Sequence, residues 1–297
     1  MRDTLSEAGD RKFLIAAALV AILAAIGSIS CKEKDGMPAT ANTARISNAS
    51  LEKLGTKSIF FAHQSVGYNI LDGIRDLMSE DGRLKMQIVE TTDASRIGAG
   101  VLAHSPVGMN EYPISKLEGF AKMMDEGVGK RADFAILKFC YIDFAPETDV
   151  EALFANYKGT LERLKSKYPS TTFIHTTVPL RVQQKGAKVW IKEIIGRPIW
   201  GEAENIARQK YNELVRRQYH GKESLFDLAA VESTYLDGSR EEFEKNGIRY
   251  YALIREYGGE DGSHLGGIGR KIVAARLVDY LAGLVQQNEG WWQNAAQ

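Results

Sequence analysis

The stretch that decides the fold of this chain reads Ser58-Ile59-Phe60-Phe61-Ala62-His63-Gln64-Ser65-Val66-Gly67-Tyr68-Asn69-Ile70. A short apolar run ends in three polar residues, and a helical pattern of apolar residues begins at about Val66. The stretch therefore predicts a strand, a tight turn that carries Ser65, and a helix. Such a turn lifts the hydroxyl from the sheet edge, and the helix start offers N–H groups to a developing negative charge. A serine here is also a common helix N-cap, so Ser65 alone does not identify a nucleophile.

Strands and helices alternate along the rest of the chain. The predicted strands are 58–62, 85–89, 133–141, 171–176 and 224–227, and the predicted helices are 67–80, 115–126, 150–167, 203–219 and 267–285. Ser115 and Glu118 are spaced as a capping box for the second helix. The alternation predicts a three-layer α/β/α sandwich with a mainly parallel, flavodoxin-like sheet of five strands. Three connections, 90–114, 181–202 and 229–266, are longer than a compact domain needs and begin where such a fold places its ligand crevice.

Composition excludes some functions. The 297 residues are 44% hydrophobic, enough for a sizeable core, and 38 basic residues balance 38 acidic ones. No basic block is interleaved with aromatic residues, so nucleic acid is not an expected partner.

The N-terminus predicts export. Arg11 and Lys12 precede an apolar run of 14 residues, 13–26, and small residues then lead to Cys31. This run is short for a membrane span, which needs roughly 20 residues, and suits a signal peptide over 1–31. Cys31 resembles a bacterial lipoprotein site, where the thiol is lipidated; an uncleaved membrane anchor is the alternative. We expect a polar tether over 32–50, a hydrolase-like domain over 51–288 and a tail over 289–297.

A second motif lies before the last predicted helix: Asp261-Gly262-Ser263-His264-Leu265-Gly266-Gly267-Ile268-Gly269-Arg270. A nucleophilic serine needs a base to take its proton, and that base needs a carboxylate to fix its tautomer. Asp261 and His264, three residues apart on one loop, have the types required for these two roles.

Ser65 after the first strand, Asp261-x-x-His264 before the last helix and the alternating chain between them resemble the SGNH (GDSL-type) hydrolase superfamily. The resemblance covers about 57–284 and implies an ester hydrolase without a cofactor, in which Ser65 attacks, His264 acts as base and Asp261 orients His264. The exported relatives in this superfamily often act on acylated glycans. The expected partners are therefore an acylated carbohydrate or another small ester, and a membrane reached through the N-terminus.

Two blocks depart from the SGNH pattern. His63-Gln64-Ser65 stands in place of Gly-Asp-Ser, and Phe139-Cys140-Tyr141-Ile142-Asp143 replaces the Gly-x-Asn-Asp block whose Asn serves the oxyanion. We expect the backbone N–H of Ser65 to supply one oxyanion donor and the loop with Gly108 and Asn110 to supply another. Tyr141 is the reserve donor. Alternatively, Gly108 and Asn110 only form a turn.

Several rival functions stay open at this level. A glycan O-acyltransferase would use the same three residues, and an inactive SGNH-like binding module would explain the altered blocks. An ordinary α/β-hydrolase fits less well. The nucleophile turn of that fold has the pattern Gly-x-Ser-x-Gly, where this chain has His63-x-Ser65-x-Gly67, and its acid and histidine usually come from separate loops. The five histidines show no metal-ligand spacing and there is no Cys pair, so no metal site is predicted.

Three further residues carry specific expectations. His175, in a β-rich run, is expected to be a hydrogen-bonded core histidine. Cys140 lies in the strongly apolar predicted strand 133–141 and is expected to be an inert core thiol. Lys138, in the same strand, is expected either to extend to solvent at the sheet edge or to reach the site.

Overall fold

A computed structural model of the chain describes residues 47–295, apart from the side chains at 187, 188, 190, 193 and 287–295. The predicted signal peptide, Cys31 and residues 32–46 of the predicted tether lie outside the described residues. Across 47–295, the structure contains no helix with the length and apolarity needed to cross a membrane.

A parallel sheet forms the centre of the described chain. In chain order its strands are β1 Ile59–His63, β2 Gln87–Glu90, β3 Val101–Pro106, β4 Phe134–Leu137, β5 Thr172–Thr176 and β6 Leu225–Phe226. Their order in space is β2-β3-β1-β4-β5-β6, and all neighbouring pairs are parallel. With helices on both faces, this confirms the predicted three-layer α/β/α class.

The sheet has six strands where five were predicted. The additional strand is β3, which lies inside the predicted connection 90–114. It was missed because the residues of its second half, His104-Ser105-Pro106, are typical of a turn. It is also separated from β2 only by residues 91–100, which contain a single 3-10 turn. Parallel strands usually need a longer crossover. Without β3 the order is β2-β1-β4-β5-β6, which is the flavodoxin order that was predicted. β4 is also shorter than the predicted strand 133–141.

Eight helices occur between residues 47 and 295. They are α1 Asn48–Leu54, α2 Val66–Asp81, α3 Pro113–Asp125, α4 Val150–Lys167, α5 Ala187–Ile194, α6 Glu202–Tyr219, α7 Leu228–Ser233 and α8 Gly267–Ala295. One face of the sheet is covered by α1, α2, α7 and α8, and the other by α3, α4 and α6. A hairpin, β7 Glu242–Lys245 and β8 Ile248–Tyr251, occupies part of the predicted connection 229–266.

The central strand β1 shows why the sheet is buried on both sides. All five of its residues are buried, with Ile59 and Phe61 in one apolar cluster and Phe60 and Ala62 in the other. Successive side chains of a strand point to opposite faces, so a continuous apolar run supplies both layers at once. The polar residues that follow β1 therefore emerge at its carboxyl end.

The predicted capping box at Ser115 is wrong. Helix α3 begins two residues earlier, at Pro113, which suits the first helical position because it has no N–H to satisfy. The Ser115 hydroxyl instead accepts the N–H of Met109 at 2.9 Å and donates to the carbonyl of Tyr112 at 2.7 Å. It closes the loop that leads from β3 into α3.

Candidate active site

The turn after β1 leaves Ser65 half-buried at the start of α2. The N–H of Gly67 donates to the Gln64 carbonyl at 2.7 Å, and the N–H of Tyr68 donates to the Ser65 carbonyl at 2.9 Å. Among the described residues, the N–H groups of Ser65 and Val66 have no backbone partner. They are therefore available to an oxygen that gains negative charge above the turn.

His63 lies beneath this turn and does not serve as its base. It is fully buried, and its Nε2 lies 3.1 Å from Nδ1 of His104. Burial, with Lys138 and His104 adding to it, lowers the pKa of His63 to about 3. A Cβ on Gly67 would lie 2.2 Å from the His63 ring, so a glycine is needed for the helix to start over the imidazole.

Asp261 and His264 form the predicted pair on the loop before α8. His264 Nδ1 lies 2.5 Å from Asp261 Oδ2, and the backbone N–H groups of Ser263 and His264 each donate to Asp261 Oδ1 at 3.0 Å. Burial alone would raise the pKa of Asp261, but the hydrogen bonds from His264 and Ser263 outweigh it and lower that pKa to about 2. The carboxylate therefore stays ionised and fixes the Nδ1–H tautomer of His264, leaving Nε2 to accept a proton.

Three contacts connect this pair with the serine turn. The N–H of Leu265 donates to Asn69 Oδ1 in the first turn of α2, at 3.3 Å. The rings of Tyr141 and His264 meet edge to face with centroids 5.5 Å apart. The neighbouring Cys140 places its Sγ 3.4 Å from Ser65 Oγ. The Ser65 hydroxyl thus contacts Cys140, and within residues 47–295 it has no hydrogen bond with His264.

The loop with the candidate oxyanion donors Gly108 and Asn110 is joined to the serine turn through Gln64. Gln64 Nε2 donates to the carbonyls of Val107 and Gly108 at 3.0 and 2.9 Å, which holds the loop after β3 against the serine turn. Gly108 has φ of 57°, and a Cβ there would lie 2.6 Å from the backbone nitrogen of Lys116, so this position requires glycine. The side chain of Asn110 is oriented by Lys116, whose Nζ donates to Asn110 Oδ1 at 3.0 Å.

Lys116 belongs to a buried ion pair that the sequence did not reveal. Its Nζ lies 2.7 and 2.6 Å from the two carboxylate oxygens of Asp143, and neither side chain is exposed. Asp143 also accepts the N–H groups of Cys140 and Glu111, at 2.7 and 3.0 Å. The pair therefore joins the loop after β3 to the segment after β4, on the two sides of Ser65.

The remaining single-residue expectations have clear outcomes. His175 is a satisfied core histidine, as predicted: Tyr157 Oη and Glu223 Oε2 lie 2.8 and 3.1 Å from its two ring nitrogens. Lys138 is 1% exposed and donates to the Phe139 carbonyl at 3.0 Å, so it does not extend to solvent. Cys140 is buried, as expected, but its contact with Ser65 places it in the site.

Tyr141, the reserve donor, lies beside His264. Burial, with smaller contributions from Cys140 and Asp261, raises its pKa, so the phenol keeps its proton and can donate a hydrogen bond. In the part of the chain that the structure describes, no group of three or more His, Cys, Asp or Glu side chains could hold a metal ion.

No family model and no curated protein matches the sequence. Solved structures with a similar fold include a lipopolysaccharide acetyltransferase periplasmic domain from Salmonella ser. Paratyphi A (10% identity, TM-score 0.43, covering 75% of this chain and 83% of that one). A second is a peptidoglycan O-acetylesterase (14% identity, TM-score 0.41, covering 64% of this chain and 51% of that one). A third is a protein assigned to the lipolytic G-D-S-L family from Desulfitobacterium hafniense DCB-2 (10% identity, TM-score 0.41, covering 75% of this chain and 99% of that one). At this level of similarity, none of them says what this chain does.

Proposed function

We propose that this chain is a serine esterase that removes acyl groups from ester substrates. The observation that carries the proposal is the Asp261–His264 pair, which is in hydrogen-bond contact and lies next to the Ser65 turn through Tyr141 and Asn69. Ser65 alone could be a structural residue, but an oriented imidazole beside it supplies the base that a nucleophile needs.

In the proposed reaction Ser65 Oγ attacks the acyl carbon while His264 Nε2 takes the hydroxyl proton. The Nδ1–H stays on the imidazole and donates to ionised Asp261, which stabilises the imidazolium. The carbonyl oxygen gains the negative charge and accepts hydrogen bonds from the free N–H groups at the start of α2 and from Asn110. His264 then protonates the departing alcohol, and water releases the acyl group from Ser65 by the same steps. Because the Ser65 hydroxyl rests against Cys140 Sγ, it must rotate about its Cα–Cβ bond to reach His264; catalytic hydrogen bonds often form fully only with substrate bound.

The test is hydrolysis of 4-nitrophenyl acetate by purified protein. Ser65→Ala and His264→Ala should each lower kcat by at least about 10³-fold, and the double variant should lose little more, because members of a catalytic unit fail together. Asp261→Asn should cost less than either. Ser79→Ala, an exposed serine on α2, is the matched control and should keep full activity. Near-normal turnover by Ser65→Ala would refute the nucleophile assignment.

We further propose that the substrate is an ester on an exported carbohydrate, with Cys31 lipidated as the membrane attachment. The signal-peptide pattern over 1–31 supports export and lipidation, and the SGNH resemblance, whose exported relatives often act on acylated glycans, supports the carbohydrate ester. Intact-mass measurement of membrane-extracted protein tests it: a mature chain that starts at a lipidated Cys31 is expected, and an unmodified chain that keeps residues 1–31 contradicts it. Product analysis with and without a glycan acceptor distinguishes hydrolysis from acyl transfer. Absence of any turnover would favour the binding module.

A further inference from the structure

A polar cavity of about 500 Å³ lies beside the proposed catalytic residues at the carboxyl end of the sheet. Its walls come from three segments: Glu111 in the loop after β3, residues 142–148 after β4, and Arg181 after β5 together with Glu204 and Arg208 of α6. Such a crevice is where an open α/β sheet places its ligand. Two guanidinium groups face it, and the proposed mechanism uses neither.

Arg208 is a buried cation at one side of this cavity. Only 1% of it is exposed, and its Nε and Nη1 donate to the Tyr141 carbonyl and to Asn205 Oδ1, at 2.9 and 2.7 Å. No carboxylate of the described residues forms an ion pair with it. Burial, reinforced by the charge of Arg181, lowers its pKa to about 9, so it remains mostly charged at neutral pH. Burying a charge in this way is costly unless an anion comes to it.

Arg181 is held rigidly at the other side of the cavity. Its guanidinium carbon lies 4.2 Å from the centre of the Trp200 ring and 5.4 Å from that of Tyr141. Its Nε donates to Ser263 Oγ at 2.8 Å. Ser263 lies between Asp261 and His264 in the sequence. Within residues 47–295 its terminal nitrogens have no hydrogen-bond partner and it forms no ion pair. The side chain is therefore preorganised, with its fork of donors free.

Within the described residues, no carboxylate near the cavity forms an ion pair with either cation, although the charges of Glu204 and Glu232 act to raise the pKa of Arg208 against the larger effect of burial. Asp143 is already paired with Lys116. Glu111 and Glu147 are exposed, so solvent screens their charge, and Glu204 forms no ion pair with either arginine within the described chain.

We propose that this cavity binds an anionic group of the substrate, a carboxylate or a phosphate, carried by the same molecule as the ester. The inference rests on the proposed esterase function and narrows its substrate class to acidic esters. Planar, free guanidinium donors match the oxygens of both anions. Because Ser263 connects Arg181 to the Asp261–His264 loop, an anion bound there lies next to the reacting ester. The Arg208 charge, which forms no ion pair within residues 47–295, would gain a direct anionic partner when the substrate binds.

The first test compares kcat/KM for three matched esters: methyl 3-O-acetyl-β-glucopyranoside, its 6-phosphate and the corresponding glucuronoside. The wild-type protein should favour at least one charged ester over the neutral one by about tenfold or more, since hydrogen bonds to charged groups are stronger than those between neutral groups. Arg181→Gln should bring that ratio close to one. A general loss of rate, through Ser263, cancels in the ratio. Arg217→Gln removes an exposed arginine elsewhere on α6 and should keep the preference.

The second test does not depend on turnover. Ligand-observed NMR with Ser65→Ala protein should show binding of methyl β-glucuronoside or methyl glucoside 6-phosphate, but weaker binding of methyl glucoside. The preference should disappear in Ser65→Ala/Arg181→Gln. If all three acetyl esters are hydrolysed with equal kcat/KM, the anion site is refuted while the esterase stands. If no ester is hydrolysed but the charged glycosides bind through Arg181, the esterase is refuted while the anion site stands.

Discussion

At the scale of single residues, the Lys116–Asp143 pair determines what Asn110 can do. Both charges are fully buried, and Asp143 accepts two backbone N–H groups besides the lysine, so the pair is well satisfied. Lys116 also occupies Asn110 Oδ1. Only the NH2 group of this amide is then left to donate, which is the polarity that an oxyanion needs.

If the proposed mechanism holds, Asn110→Ala lowers kcat for ester hydrolysis by roughly 10²–10³-fold with little change in KM, the range for loss of one oxyanion donor. Asn110→Asp should be similarly impaired, because it keeps an oxygen for Lys116 but loses the donor. Steady-state kinetics on 4-nitrophenyl acetate measures both. Asn156→Ala, whose exposed amide donates to the Ala152 carbonyl of the same helix, is the control. Unchanged kcat in folded Asn110→Ala would discard Asn110 and make Tyr141→Phe the next variant.

Residue spacing explains which contacts could be foreseen. Asp261 and His264 were predictable as a pair because three residues on one loop fix the distance between their side chains. Lys116 and Asp143 are 27 positions apart on different connections, and a lysine within a helix normally indicates a solvent-facing position. Only the fold brings them together. The contact between His63 and His104, which are 41 positions apart, was hidden for the same reason.

At the scale of elements, the packing of α2 on α8 aligns the two halves of the site. Ser65 precedes α2 and His264 lies three residues before α8, and the two helices contact each other on the same face of the sheet. They approach very closely, since a Cβ on Gly73 would lie 2.2 Å from the Arg270 carbonyl oxygen. The separation of these helices therefore sets the position of His264 relative to Ser65.

Gly73→Ala should push the helices apart. We predict a loss of about 1–3 kcal/mol in the free energy of unfolding, the usual cost of overpacking, together with a fall in kcat. Urea unfolding and ester kinetics measure the two effects. Gly159→Ala on α4 has open space around its Cβ and should stabilise the protein by up to about 1 kcal/mol. Equal stability and activity in the two variants would contradict the importance of this contact.

The long helices were easier to predict than the short elements, since α1, α5 and α7 were not predicted, and neither were β3, β7 and β8. The structure reproduces the predicted helix 150–167 residue for residue, because its apolar positions recur at helical spacing. β3 and the β7–β8 hairpin were read as loops, since short strands with polar or mixed residues carry little periodicity. What makes β3 a strand is its position between β1 and β2, where both edges are paired.

At the scale of the whole molecule, buried histidines make stability depend on pH. Burial lowers the pKa of His175 to about 4, against an ordinary value of 6.5. Above pH 6.5 the residue is neutral in both the folded and the unfolded chain. As the pH falls from 6.5 towards 4, His175 becomes protonated in the unfolded chain but stays neutral in the folded chain, so the free energy of unfolding decreases.

We predict that His175→Phe flattens this dependence. Between about pH 6 and 4.5, the slope of the unfolding free energy against pH should be smaller in the variant than in the wild type. The difference between the two slopes should be about 1.4 kcal/mol per pH unit, the effect of one proton. Urea unfolding across this range measures the slope. Tyr157→Phe removes a hydrogen-bond partner but keeps the histidine, so it should lower stability and leave the slope steep. A wild-type slope in His175→Phe would contradict a neutral buried His175.

The central claim is that His264 activates Ser65 as a nucleophile. A fluorophosphonate probe tests it most directly, since an activated serine hydroxyl attacks the phosphorus and expels fluoride whatever the natural substrate is. Mass spectrometry of the labelled wild-type protein should show one adduct, mapped to Ser65, and the adduct should be absent from folded Ser65→Ala and His264→Ala. A folded wild-type protein that takes no label at Ser65, or that takes it equally well without His264, would contradict the account.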